Sequence, residues 1–143
     1  AVILDELIPM LEDYTTGYCL WGAPEGRAIG GISRGGFWAF SIALRHPDLF
    51  SAVGGHSPHF EDDNAPPESN PLNLASRVNL DEYPLRIYLD HAAEDYVSPN
   101  AIRMSEILRA GDLALRHRDA AAELREVLAE GDAQDQRLDL AGL

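Results

Sequence analysis

Lysine is missing from this sequence: the 11 cationic side chains are all arginine, against 24 Asp and Glu, for a formal charge of −13 at pH 7. The bias toward arginine reads as genomic base composition and bears on no mechanism. The shortage of positive charge does exclude a function class. A nucleic-acid binder needs a basic face to displace counterions, and these arginines are scattered along the chain. The same balance disfavours docking on an anionic membrane. Cysteine is nearly absent too. With Cys19 alone, no internal disulfide and no thiolate metal cluster can form within one chain. No apolar run approaches the roughly 20 residues of a membrane span. The first residues, Ala-Val-Ile-Leu-Asp-Glu-Leu, lack both an initiating Met and the basic-then-apolar pattern of a secretion signal. The expectation is a chain that starts after processing or inside something longer, with the cytoplasm as default compartment.

What is present is enough for one domain: 143 residues, 45% of them apolar. Leu4, Leu7, Ile8 and Leu11 recur at helical spacing, with Pro9 expected to kink that helix. Residues 15–26 read as a loop from their glycines, threonines and proline. A strand is expected over Arg27–Ile32, a helix over Phe37–Arg45 closed by Pro47, and a strand over Phe50–Gly54. Ser57–Asn79, with four prolines and several acids, reads as a long excursion with little regular structure, of the kind that forms binding loops or lids. Leu85–Asp90 reads as a strand apolar on both faces. Ser98–Ala110 reads as a helix with Ile102, Ile107 and Leu108 in the core and Gly111 as its stop. Leu113–Arg118 fits either a strand or the start of a helix running to Glu130. This order implies an α/β domain with a mainly parallel sheet and helices on both faces, over residues 1–118. From Asp119 to Leu143 there are seven acids, two arginines and no aromatic residue, which reads as an acidic helical tail.

The chemistry concentrates in Gly30-Gly31-Ile32-Ser33-Arg34-Gly35-Gly36, between a strand and a helix. Gly-x-Ser-x-Gly in that setting is a nucleophile elbow. Ser33 has to sit on a sharp turn that exposes its hydroxyl, while Gly31 and Gly35 remove side chains that would collide across it. The Arg34 N–H then faces an oxyanion at the helix start. A phosphate-cradling loop is the rival for such a turn, but neither Gly-Lys-Ser/Thr nor Gly-x-Gly-x-x-Gly occurs. His56 and His59, just past a strand, are candidates to line the pocket together with Ser57. Near Glu61, Asp62 and Asp63 they also suggest a metal site, yet two histidines and loose acids in a proline-rich loop read more simply as solvent-facing. No metal and no cofactor are expected.

Residues 28–58, from Ala-Ile-Gly-Gly-Ile-Ser-Arg-Gly-Gly-Phe-Trp-Ala-Phe to Arg-His-Pro-Asp-Leu-Phe-Ser-Ala-Val-Gly-Gly-His-Ser-Pro, resemble the esterase branch of the α/β-hydrolase superfamily. That branch includes enterochelin esterase-like proteins, S-formylglutathione hydrolases, feruloyl esterases and mycolyltransferases. Glu6-Leu7-Ile8-Pro9 is similar to the helix before the elbow, and Leu85-Arg86-Ile87-Tyr88-Leu89-Asp90 with Glu94-Asp95 is similar to the strand and turn that carry the triad acid. The likeness spans about residues 4–111. It implies a serine–acid–histidine triad, in that chain order, working through an acyl-enzyme. Ser33 takes the nucleophile's place and Asp95 the acid's, with Asp90 and Glu94 as near alternatives.

The histidine loop of the family has no counterpart here. His117 is the last histidine and the carried-over candidate for the base, although it falls where the final strand belongs. His91 shares a turn with Asp95, and His46 ends a helix. Only 32 residues precede Ser33, so the early strands and the loop giving the second oxyanion N–H are missing as well. The resemblance is to the middle of an esterase, truncated at its start. Two readings follow: a serine esterase, or an acyltransferase, acting on a small-molecule ester; or a catalytically incomplete member serving at most as a binding module. A sheet lacking its early strands exposes an edge. The isolated chain is therefore expected to self-associate, which light scattering over a concentration series checks; a monomer with sharp, reversible unfolding is the opposite result.

Overall fold

The computed structural model describes residues 2–13, 15, 17, 20–80 and 82–110, and the backbone of 115–119. Its centre is a sheet of four parallel strands in sequential order: β1 (Ala28–Ile32), β2 (Ala52–His56), β3 (Arg86–His91) and β4 (Leu115–Asp119). Helix α1 is Ile8–Glu12, α2 Arg34–Arg45, α3 Pro71–Ala75 and α4 Ser98–Ala110. An α/β fold with a parallel sheet is thus observed. Of the open choice at 113–118, the described residues 115–118 are strand paired with β3, while Gly111 to Ala114 and the tail beyond Asp119 lie outside the described residues.

The first helix is two pieces. Ile3–Leu7 forms a π-helical turn whose closing N–H, that of Ile8, reaches back to Ile3 O, and α1 follows with Pro9 near its start. Proline gives no N–H and its ring presses on the carbonyl four residues back, which favours this widened turn over a regular one. Glu12 then grips Arg27 with both carboxylate oxygens, the second pair at 2.6 Å, tying α1 to the start of β1. That contact lowers the Glu12 pKa and raises that of Arg27.

Burial alternates along the strands. Val53, Gly55, Ile87 and Leu89 face the helices, with α2 and α4 against the strands and α3 packed on both of these helices. Phe40 is fully buried and meets Phe60 edge-on at 5.1 Å, so the loop after β2 contributes to the core at its very beginning. Ile3, Leu4 and Ile8 pack against the same core. The opposite face carries Ala28, Gly30, Ala52, Gly54, Arg86 and Tyr88, and among the described residues it opens to a shallow concavity of about 780 Å³.

Four expectations shift. β2 begins two residues later than its hydrophobicity suggests and ends on His56, running through Gly54-Gly55. A Cβ on Gly55 would stand 3.0 Å from the Phe40 ring, so the glycine reflects how closely α2 packs rather than a strand end. The excursion 57–79 contains α3, capped by the buried Asn70, whose Oδ1 accepts from Leu72 N and whose Nδ2 donates to Glu61 O. Asn-Pro here is a cap followed by proline in the first turn. The core face of α4 is Ala101, Met104, Ser105 and Leu108, which keeps Leu108 but leaves Ile102 42% exposed. β3 is correspondingly apolar on its helix side only. Met104→Ala should then lower the unfolding free energy by about 2–5 kcal/mol, and Ile102→Ala by less than about 1 kcal/mol, measured by urea denaturation.

Candidate active site

Ser33 joins β1 to α2 with φ 53° and ψ −118°. Two non-glycine residues among those described have positive φ, Ser33 and Ser57 at φ 44°. Such a conformation costs on the order of 1–3 kcal/mol for an L-residue and persists only where the surroundings impose it. The surroundings are specific. Ser33 N–H donates to His56 O at 3.0 Å, and Ser33 O accepts from Phe37 N at 3.1 Å and from His59 N at 3.1 Å. The backbone of the serine is thereby locked between the end of β2, the first turn of α2 and the loop after β2.

The glycines divide their labour differently from expectation. A Cβ on Gly31 would lie 2.3 Å from the Gly35 carbonyl carbon, and one on Gly36 would lie 2.7 Å from Pro58 Cβ. A Cβ on Gly35 meets nothing within 4 Å. Collision across the turn is therefore relieved by Gly31 against the backbone of Gly35, whereas the second obligatory glycine is Gly36, which lets the loop after β2 lie on the helix. Helix α2 runs for 12 residues from Arg34, so its N–H groups at Arg34, Gly35 and Gly36 stand at the positive end of a substantial dipole. The Arg34 guanidinium turns away to Asn64 Oδ1 at 3.1 Å, and Asn64 Nδ2 donates to His59 O at 2.7 Å.

Asp95 lies in the turn between β3 and α4. Hydrogen bonding from Ser57 holds its carboxyl below the usual carboxylate range, with further support from the Val97 N–H and from the charges of His91 and His59. Since the Ser57–His59 segment also bonds the Ser33 carbonyl, Ser33 and Asp95 are joined through one short stretch of chain. His59 meets the exposed Tyr96 ring edge-on at 5.7 Å. His91 ends β3 and is buried. Glu94 is exposed, and His46 closes α2 as expected. The backbone of His117 sits inside β4, opposite Leu89, rather than in a loop after the strand.

Asp90 is the residue whose environment the sequence conceals. It is buried in β3, in register with His56 on β2. His56 Nδ1 lies 2.8 Å from Asp90 Oδ2 and 3.0 Å from Oδ1, and the Tyr88 hydroxyl donates to Oδ2 at 2.9 Å. The His56 side chain is 60% exposed, that of Asp90 4%. On β2 the concavity of the open face is bordered by Ala52, Val53 and Gly54. The signal for the pair was the parallel register, 34 residues apart, which no local pattern carries. Among the described residues no group of three or more His, Cys, Asp or Glu side chains could hold a metal ion, and no helix is long and apolar enough to cross a membrane.

A parallel sheet with a strained serine between strand end and helix start defines an α/β-hydrolase-type domain. The family model described as "Putative esterase" matches residues 2–127, and the chain belongs to that family; the match extends past the expected domain end at 118. No curated relative matches. Among solved structures, a ferulic acid esterase is similar with a TM-score of 0.66 and 22% identity over 83% of this chain and 51% of its own. The enterobactin esterase of Shigella flexneri, determined in the presence of 2,3-di-hydroxy-N-benzoyl-glycine, is similar with a TM-score of 0.61 and 20% identity over 83% of this chain and 32% of its own. The chain thus spans between a third and a half of these neighbours.

The steric division among the glycines is directly testable. Gly31→Ala and Gly36→Ala should each destabilise the fold by more than about 1 kcal/mol, while Gly35→Ala, in an open helical position, should be neutral or stabilising by up to about 1 kcal/mol. Thermal and urea unfolding of the three variants read this out.

Proposed function

We propose that the site is that of a serine carboxylic-ester hydrolase acting on a small-molecule ester through an acyl-enzyme. The observation that carries the reading is the backbone of Ser33, held at φ 53° by three hydrogen bonds at the junction of β1 and α2. Strain of this kind is retained where a hydroxyl must project from the turn toward a bound group. Ser33 attacks the ester carbonyl, and the Arg34 N–H at the helix start stabilises the oxyanion that forms. Asp95, kept ionised by Ser57 and Val97, is the acid of the triad, which orients and stabilises a protonated histidine. Both structural neighbours are esterases, which supports the same bond class here. With an alcohol in place of water, the same acyl-enzyme carries out acyl transfer, so hydrolysis is the minimal form of the reaction.

Reaction with a fluorophosphonate probe tests the assignment. The wild-type chain should take up one label on the peptide containing Ser33, and Ser33→Ala should take up none. Labelling of Ser33→Ala at the wild-type rate would overturn the reading.

A further inference from the structure

Helices cover one face of the sheet and leave the other bare. With strands in the order β1-β2-β3-β4, every connection steps the same way, and right-handed crossovers then put α2 and α4 on a single side. The long segment between β2 and β3 joins them there, since Phe60 and Leu72 belong to the same core. The chain before β1 does so too, through Ile3, Leu4 and Ile8. Parallel sheets are stable with both faces covered. Within this chain, that leaves the 24 residues that follow Asp119 to cover the second face.

The bare face has a definite shape. Its floor is Ala28, Gly30, Ala52 and Gly54, small residues on two adjacent strands, and Tyr88 borders them on β3. A floor without large side chains admits a helix at close range. Four strands place the outer two about 14 Å apart and run for roughly 17 Å, so one helix about 10 Å across covers most of that area. Residues 120–130 match it. Ala120, Leu124, Val127 and Leu128 recur at i, i+4, i+7 and i+8, the apolar stripe of one helix face. As a helix these residues span about 16 Å, close to the strand length. The family match runs on to residue 127 and so includes the stripe as far as Val127. Because β4 is parallel to its neighbours, chain leaving it at Asp119 starts from the rim of Ser33 and His56 and descends to the rim where β3 begins. Arg86 stands exposed there on the open face, and among the described residues no carboxylate pairs with it. The acidic end of the stretch, Glu130, arrives at the same rim.

We propose that residues 120–130 form a helix laid across the open face, antiparallel to the strands, with Leu124, Val127 and Leu128 on the glycine and alanine floor and Glu130 beside Arg86. The concavity of about 780 Å³ is the seat of this helix. The sheet then becomes the middle of three layers, and the segment that is most acidic in sequence closes the domain instead of trailing from it.

Hydrogen exchange on the full chain is the first test. Amides of residues 124–130 should exchange about 10²-fold more slowly than in a free peptide, and Leu128→Asp should remove that protection. Exchange of the wild type at the free-peptide rate overturns the proposal. The second test is disulfide formation, which requires Cα atoms within about 7 Å. In a Cys19→Ser background, Ala52→Cys with Leu128→Cys should close a bond within one chain, whereas Ala52→Cys with Ala120→Cys, at opposite rims, should not. Gly54→Cys with Leu124→Cys is the alternative pair if the first does not fold by circular dichroism, because a Cβ on Gly54 has nothing closer than Tyr88 Cβ at 4.0 Å. A bond that forms only between chains, seen as a dimer on a non-reducing gel whose yield rises with concentration, makes a second copy the occupant and overturns the proposal. Folded pairs that form no bond, or a bond through Ala120→Cys in place of Leu128→Cys, overturn it as well.

Discussion

Backbone meets backbone where β1 turns into α2, and the rest of the structure is arranged around that contact. The place of a Cβ on Gly31 is already taken by the main chain of Gly35, so the strand and the helix it feeds approach more closely than side chains allow. With that spacing imposed, the intervening residue cannot relax into an ordinary conformation, and Ser33 stays in the positive-φ region. Helix α2 then lies low enough over the sheet that β2 accepts Gly55 under Phe40, and the following loop can press Pro58 onto Gly36. The sharp turn is thus a consequence of packing, and its persistence needs no contribution from the serine's own side chain.

The elbow was legible because its residues are contiguous and each has a local meaning: glycine for close approach, serine for the hydroxyl, a strand before and a helix after. Helix α4 was equally legible in its limits, Ser98–Ala110, since spacing and a terminal glycine suffice to delimit it. Its buried face was not. Ala101 and Ser105 face the core beside Met104, and small or polar side chains give a hydrophobicity pattern no reason to choose them over Ile102. β2 was displaced by two residues because glycine argues against a strand when its neighbours are unknown. The link between His56 and Asp90 depends on the register of two parallel strands, and α3 hides in a proline-rich segment whose buried Asn70 reads as polar loop. In each case the missing information is long-range.

Both acids near the serine occupy opposite surroundings on one short stretch of sheet rim. Asp90 is buried and bonded by a ring and a phenol; Asp95 stands in a turn, bonded by a hydroxyl and an amide. The net charge of −13 makes such local compensation necessary, because a carboxylate in an already acidic chain finds few free cations. Hydrogen-bond donors from histidine, tyrosine, serine and backbone take the place that lysine or arginine would hold in a less acidic protein.

Parallel order also divides the molecule into two ends with separate fates. Every strand finishes at the rim that carries Ser33, His56, Ser57 and Asp90, while every strand begins at the rim where Arg27, Ser51 and Pro84 connect. Strands of five or six residues at about 3.3 Å each put roughly 17 Å between the two rims. Changes in the connections at the starting rim, such as a grafted peptide before β3, are separated from Ser33 and His56 by that length of sheet. The starting rim is consequently the place where the chain can diversify or be joined to other modules, leaving the opposite rim to conserve its geometry.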